Sequence, residues 1–492
     1  MTRKIGFRFV VWVKKNEVLP GVVNVLFVLI FLVNPSDKVL FLVSFFHLVA
    51  MLMVTDSIKE TFVYLFWPWF VFEAGREFIF ELVPLGKILS INYSSPVVVR
   101  AVFSPFSVLG AMMTVVLMKS WWQGKIPRLA WLLMLSGYLL ARLGSALLTD
   151  YSRVFSLYFV LREMWKVAWL VLALVSLREN GKKVVTNLLV TIAALWLVDI
   201  IVALMQYMKG SFLGLNAERA HYLASYGQGR DESEGKLRVS GLWYHPNGLA
   251  NWLVQCSFAI YLLYTMLDPN RFRKKFTIKH IWVGFVLAVI SFLTLNRIVM
   301  MTLLVSVLIN WREWYGSVRG VAKWLKNDLL MRVVLVLLPV VVLMLRMKDR
   351  LLLSIYSLES GGGLGTRMLQ FKEAVTMVKI APVFGHGVGM YRAALSFWIP
   401  NGEVRYFPEN VHNAFLLVAS ESGLVALLLG VVFLLITMMK VFNVKDVDKR
   451  LVLTWIFFSI MFMMFHPVVV DFIALSTLMA LLVAEYEKKE KV

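Results

Sequence analysis

The 492-residue chain carries one cysteine, Cys256, so it cannot close an intrachain disulfide. Charged side chains are scarce, at 16% of the sequence, against roughly a quarter in soluble domains. No HExxH, no CxxC and no acidic cluster occurs, so neither a metal nor another cofactor is expected. A Gly-x-Ser-x-Gly elbow and a Walker loop are missing, which removes two common routes to hydrolase and nucleotide chemistry. There is no fixed-period repeat and no low-complexity tract. An inverted pair of broken hydrophobic segments, the mark of many secondary transporters, does not stand out either.

What the sequence has in quantity is hydrocarbon: 60% of its residues are hydrophobic and the mean hydropathy is +0.74. Apolar runs fall near 19–33, 38–54, 61–83, 100–118, 129–148, 155–177, 184–208, 243–267, 281–296, 298–311, 331–346, 413–439, 451–466 and 469–485. They predict an all-α polytopic membrane protein, one bundle over 1–492 with about 12–14 transmembrane helices. The run 61–83 is the weakest, because Glu73, Arg76 and Glu77 interrupt it.

The formal charge of +21 does not point to nucleic acid, because of where the basic residues lie. Loops 119–128, 178–183, 271–279, 312–330 and 440–450 are all basic, and parity places each on the side of the N-terminus. That is the pattern expected when Lys and Arg are retained in the cytoplasm. The N-terminal MTRKIGFRFVVWVKK lacks a short apolar core and a cleavage site, and reads as a cytoplasmic tail before a retained span.

Residues 281–311 admit two topologies. As one helix they would span about 46 Å, too long for a hydrocarbon core of about 30 Å. As a hairpin turning at Asn296-Arg297 they keep both flanking basic loops on one side, which favours the hairpin and puts Arg297 inside the protein. Two long segments, 209–242 and 347–412, are expected outside the membrane on the far face. Within the second, Leu364, Met368, Phe371, Val375 and Val378 recur at helical spacing and predict an amphipathic helix over 366–380. Such a helix lies along the membrane surface or caps the bundle.

Several polar residues could carry chemistry. Arg297 is an ionisable group within an apolar segment, a functional candidate by default, with a structural ion pair as the alternative. Arg367 opens the amphipathic helix; its guanidinium fork matches phosphate oxygens, although a solvated surface arginine reads the same way. Ala381–Gly389 (APVFGHGVG) ends that helix and turns the chain, too weak a pattern for a phosphate cradle without a helix N-terminus behind it. His412 opens the next span, where the helix dipole disfavours its charged form and suits a general base. Glu421 lies nine residues on, about 13 Å deeper on the opposite side, and is expected to be a structural carboxylate within the membrane. His245-Pro246-Asn247 starts another span, where helix punctuation is an equally good reading. His466-Pro467 and Asp471 read as an outer turn.

In this order the motifs resemble the O-antigen ligase/O-antigen polymerase family of membrane glycosyltransferases. Four pieces carry the resemblance. They are Ser240-Gly241 with His245-Pro246-Asn247; Leu295-Asn296-Arg297; Gly365-Thr366-Arg367 with Pro382–Gly385 and Gly387–Gly389; and His412–Leu416 (HNAFL) with Glu421-Ser422-Gly423. The resemblance implies a GT-C-like bundle in the inner membrane, both termini cytoplasmic and the active site extracytoplasmic. It implies transfer of a glycan from a polyprenyl (undecaprenyl) diphosphate carrier to an acceptor hydroxyl, with no metal. Arg297 and Arg367 match the arginines that hold the donor diphosphate, and His412 matches the histidine proposed to activate the acceptor. His245, Asn247, Asn296 and Asn413 are then candidate pocket residues, Asn296 standing where family members often have Ser.

The expected function is a glycosyltransferase of the O-antigen ligase type, inverting at the anomeric carbon. The expected partners are a lipid-linked glycan donor, a glycan, lipid-core or protein acceptor, and membrane lipids. A surface-polysaccharide polymerase or a protein O-oligosaccharyltransferase would share every motif. A lipid-linked glycan flippase or transporter is the alternative of a different class.

Overall fold

The computed structural model describes residues 18–32, 37–71, 76–81, 98–124, 130–215, 238–243, 245–267, 276–309, 363–399, 410–445, 447–466 and 474–490. Among them the chain forms fourteen helices and one pair of short strands. Four helices are long and apolar enough to cross a membrane: Trp131–Leu148, Arg153–Lys209, Pro246–Leu267 and Ala414–Phe442. The protein is a helical, polytopic membrane protein. The expected span 331–346, most of 209–242, residues 347–362 and Asp471 lie outside the described residues.

The chain divides into two compact units. The first comprises Met1–Leu195, Arg367–Lys440 and Met463–Val492. It begins with α1 (Leu19–Leu32), α2 (Asp37–Val54) and α3 (Ile58–Val71), which pack on one another. The run 61–83 does not continue as a span. Helix α3 ends at Val71, and β1 (Arg76–Glu81) pairs antiparallel with β2 (Val98–Phe103), Arg76 opposite Phe103. In Arg-Glu-Phe-Ile-Phe-Glu charges bracket a short apolar run of aromatic and β-branched residues, which suits a strand. Ser104 then caps α4 (Pro105–Trp122), with Pro105 in the first turn, where a missing N–H costs nothing.

Helix α5 (Ala130–Leu148) follows, and then α6 (Arg153–Lys209). At 57 residues α6 would be about 85 Å long if straight. It is broken at Asn180 (φ −138°, ψ 56°). The fold-back shows in its contacts. Trp169 Nε1 donates to the Val63 carbonyl of α3 (3.0 Å), while Asn187 Oδ1, on the far side of the break, accepts the Gly21 N–H of α1 (2.8 Å). Helices α1 and α3 are neighbours, yet residues 169 and 187 would be about 27 Å apart along a straight helix. The Arg-Glu-Asn-Gly-Lys-Lys stretch is therefore the turn between two spans.

The first unit continues with α10 (Gly363–Ile380), α11 (Tyr391–Trp398), α12 (Ala414–Phe442) and α14 (Leu475–Glu490), while α13 (Lys449–Phe465) belongs to the second unit up to Phe462. Ten successive side chains, Leu475 to Ala484, are buried in α14. Its Glu485 accepts Trp131 Nε1–H from α5 (3.0 Å) and pairs with Lys440 of α12 (2.6 Å), tying three helices together.

The second unit comprises Trp196–Thr366 and Val441–Phe462. Helices α7 (Pro246–Leu267), α8 (Phe276–Thr294) and α9 (Arg297–Ile309) pack in sequence. Between α8 and α9 the chain turns at Leu295, whose φ of +50° is left-handed, and the two arms pack on each other as a hairpin. A left-handed leucine is uncommon. It is held here by Asn296, whose Oδ1 accepts the N–H groups of Ile298 (2.9 Å) and Val299 (3.2 Å) at the start of α9.

Candidate functional site

Helix α10 presents an unexpected face. Of the apolar residues at helical spacing, Met368 and Phe371 are exposed. The buried stripe is Gln370, Glu373, Ala374 and Met377, one position in each turn of a neighbouring face. Ala374 and Met377 join Tyr391, Ala394, Leu395 and Val411 in a core cluster, which presses α10 against α11 and the entry to α12. That packing turns the two polar members of the stripe inward. The helix expected over 366–380 is present, with Gln370 and Glu373 turned to the interior and Met368 and Phe371 outward beside Lys372 and Lys379.

This orientation places Gln370 against His412. The histidine Nδ1 lies 2.8 Å from Gln370 Oε1, an oxygen that only accepts, so Nδ1–H donates. Burial, and after it the charge of the Arg367 guanidinium, together lower the His412 pKa to about 4. The ring is neutral at pH 7. Arg367 stands one turn before Gln370 on α10, so a guanidinium and an uncharged imidazole share one end of this unit.

Beyond His412, Asn413 caps α12: its Oδ1 accepts Leu416 N–H (2.9 Å), and its Nδ2 reaches the Met464 carbonyl at 3.4 Å. Helix α12 is interrupted at Gly423 (φ +80°, ψ 174°), where the glycine-rich turn after α10 crosses it. His386 N–H donates to the Ser420 carbonyl (3.0 Å), Gly387 N–H to the Glu421 carbonyl (2.8 Å) and Leu424 N–H to the Pro382 carbonyl (2.8 Å). A Cβ on Gly423 would sit 1.9 Å from the Val383 carbonyl oxygen, and one on Gly385 2.4 Å from the Glu421 carbonyl carbon. Each backbone thus passes through the space left by the other's missing side chain.

The turn is followed by a helix N-terminus after all, that of α11, but a side chain of the protein occupies it. The Glu421 carboxylate accepts backbone N–H groups of Gly389 and Tyr391 and lies in the field of Arg142. An internal carboxylate therefore stands where a phosphate would bind such a nest. Arg142 in turn pairs with Glu163 (2.7 Å) and donates to Ser422 Oγ (3.2 Å), and Ser145 Oγ donates to the Glu421 carbonyl. His386, neutral because burial lowers its pKa, donates from Nε2 to the Met377 carbonyl (3.1 Å) and so closes the end of α10.

The second unit holds the other candidates. His245 Nδ1 accepts Asn247 N–H (3.0 Å), and its carbonyl accepts the Gly248 and Leu249 N–H groups, so this residue starts α7. Asn247 Oδ1 accepts from Asn296 Nδ2 (2.9 Å) and from Arg238 Nη2 (3.1 Å), while Arg238 Nε donates to the Thr294 carbonyl (3.1 Å). Arg238, buried and unforeseen, stitches α7 to the turn before Arg297. The Ser240-Gly241 turn is held from α6: Gln206 Oε1 accepts Gly241 N–H (2.9 Å) and the Asp199 carboxylate accepts Leu242 N–H. Arg297 is the first residue of α9. A cavity of about 240 Å³ lies among α7, α8, α9 and α13, its wall including Phe258, Val286, Leu287, Thr302, Trp455 and Phe458.

The residues matched by the sequence thus fall into two groups, His412 with Arg367 in one unit and His245, Asn247 and Asn296 beside Arg297 in the other. Gln370 and Arg238 were missed. The available signal for Gln370 was its place three residues after Arg367, which puts both on one side of a helix.

Residues 282–431 match the family model described as O-antigen ligase. The matched stretch contains Arg297, Arg367, Gln370, His412 and Glu421. No curated protein and no solved structure matches the chain. The match falls on three of the four motifs found in the sequence, and it supports the resemblance to the O-antigen ligase/polymerase family.

Proposed function

We propose that this protein transfers a glycan from a polyprenyl diphosphate carrier to an acceptor hydroxyl on the extracytoplasmic side of the membrane. The observation that carries the reading is an uncharged His412, fixed by a hydrogen bond to the same helix that presents Arg367. In this scheme the acceptor oxygen attacks the anomeric carbon of the donor sugar and the bond to the diphosphate oxygen breaks with inversion. The acceptor proton passes to His412 Nε2, and the diphosphate leaves with the bonding electrons. Arg367 stabilises the charge that builds on the leaving group, and Arg297 is the diphosphate-binding candidate of the second unit.

The apolar cavity supports a lipid-linked donor. It reaches Thr302, about 7.5 Å along α9 from Arg297. The hydroxyls in its wall are turned away from it: Ser257, Thr302 and Thr454 each donate to a carbonyl of their own helix. A wall that offers apolar surface below an arginine suits an isoprenoid below its diphosphate. Ligation to a lipid core, chain polymerisation and transfer to protein hydroxyls differ in the acceptor alone.

The test is reconstitution in vesicles with an undecaprenyl-diphosphate oligosaccharide presented outside and a panel of glycan, lipid-core and peptide acceptors. A glycosylated acceptor together with released undecaprenyl diphosphate is the expected product. Movement of the donor across the bilayer with no transfer to any acceptor would replace this reading with a flippase.

A further inference from the structure

We infer that Gln370 is a positioning residue that fixes the tautomer of His412, with the hydrogen on Nδ1 and the lone pair on Nε2. The role attached to that lone pair rests on the reading of His412 as the base; the tautomer itself does not.

A neutral imidazole has two tautomers, and only the one without a hydrogen at the reacting nitrogen can take up a proton there. In this chain the choice is made by one contact, the 2.8 Å approach of Nδ1 to the amide oxygen of Gln370. The amide is well placed to hold it. Gln370 is buried in the middle of α10, where its neighbours Glu373, Ala374 and Met377 on the same face are buried too. His412 is anchored from the other side by Val411 in the core cluster and by the Asn413 cap.

The chemical identity of the partner matters as much as its position. A carboxylate at the same place would fix the same tautomer but would also stabilise the imidazolium and offset the Arg367 charge that acts on the ring. A neutral acceptor orients the base without making it a cation and without adding negative charge beside an arginine proposed to meet a diphosphate. The sequence offers no pattern for this role, since 42 residues separate the two partners.

The experiment uses the full chain labelled with ¹⁵N-histidine in lipid bilayers. Of its seven histidines, His412 is identified by the signals lost in His412→Asn. The expected spectrum at neutral pH shows a single His412 tautomer protonated at Nδ1. In Gln370→Leu both tautomers should be populated, and in Gln370→Glu the Nδ1–H form should persist while the ring titrates at higher pH than in the parent. A parent ring protonated at Nε2, or a Gln370→Leu spectrum identical to the parent's, overturns the inference.

Transfer assays on the same preparations separate it from the reading beneath it. Gln370→Leu should lower kcat by up to about a hundredfold with little change in donor KM, and Gln370→Glu should recover much of the rate above its raised pKa. If the tautomer changes as expected while both Gln370→Leu and His412→Ala transfer at the parent rate, the base assignment falls and the tautomer assignment stands. Because Gln370→Glu keeps the hydrogen bond, its pH profile is informative even where the leucine variant folds poorly.

Discussion

At His412 the amide oxygen of Gln370 meets a titratable ring, whereas before Arg297 the amide oxygens of Asn247 and Asn296 meet N–H groups of the backbone, an amide and a guanidinium. Both places are helix starts next to an arginine, and both are built from short polar motifs. They differ in what their hydrogen bonds accomplish. At the Asn296 end they determine the path of the chain, holding a left-handed Leu295 and the first turn of α9. At the His412 end one bond determines the state of a reactive atom. Residues of the first kind should tolerate exchange for others that cap a helix; residues of the second kind should not.

The largest expected effect is at the chemical end. His412→Ala should lower transfer by about 10²- to 10⁴-fold, measured as product from the lipid-linked donor, with the unfolding midpoint unchanged. Transfer at the parent rate would make the two ends alike. The pH profile sharpens the same contrast. With a His412 pKa of about 4 instead of the ordinary 6.5, the rate should hold its plateau between about pH 7 and pH 5. Stability follows the same sign. The unfolded chain takes up a proton at this residue below 6.5 and the folded chain only near 4, so the contribution of this group is complete above 6.5 and is lost as pH falls through that interval. An acidic limb centred near 6.5 would contradict the burial of the ring.

Arg367→Lys ranks next, with a loss of about 10- to 100-fold in transfer, because a point charge does not reproduce a planar fork facing phosphate oxygens. Unchanged rates would return Arg367 to a surface role. Gly423→Ala should leave the active groups untouched yet destabilise the unit by about 1–3 kcal/mol or more, since it combines a left-handed φ with a carbonyl oxygen in the way. Thermal unfolding measures it. The smallest effect is at the Asn296 end: Asn296→Ala should cost about 1 kcal/mol, and Asn296→Ser no more than a few tenths, because serine also caps a helix. A serine variant as inactive as His412→Ala would erase the distinction between the two ends.

The sequence made the apolar runs legible, and with them the turn at Asn296-Arg297 and the break in the Arg-Glu-Asn-Gly-Lys-Lys stretch, because hydrocarbon thickness limits how long a helix can run. It misled at Arg76–Glu81, where the aromatic and β-branched residues of a short strand sit inside a run apolar enough to count as a span. On α10 periodicity identified the helix but did not reveal that Gln370 and Glu373 belong to its buried stripe, because the residues that bury them come from α11 and the entry to α12. Gln370, Arg238 and the carboxylate in the glycine turn act on partners far along the chain, and a pattern search has no purchase on such pairs.

The break at Gly423 divides α12 into pieces of unequal character. The lower piece, Leu424–Phe442, has nineteen residues, about 28 Å of helix, which by itself matches a hydrocarbon core of about 30 Å. The upper piece, Ala414–Ser422, has no exposed side chain, and exposed apolar residues begin at Leu424. The glycine therefore separates a length with exposed apolar side chains from an enclosed one. Lengthening Leu424–Phe442 by one turn should therefore leave the bond between His412, at the far tip of the upper piece, and Gln370 in place.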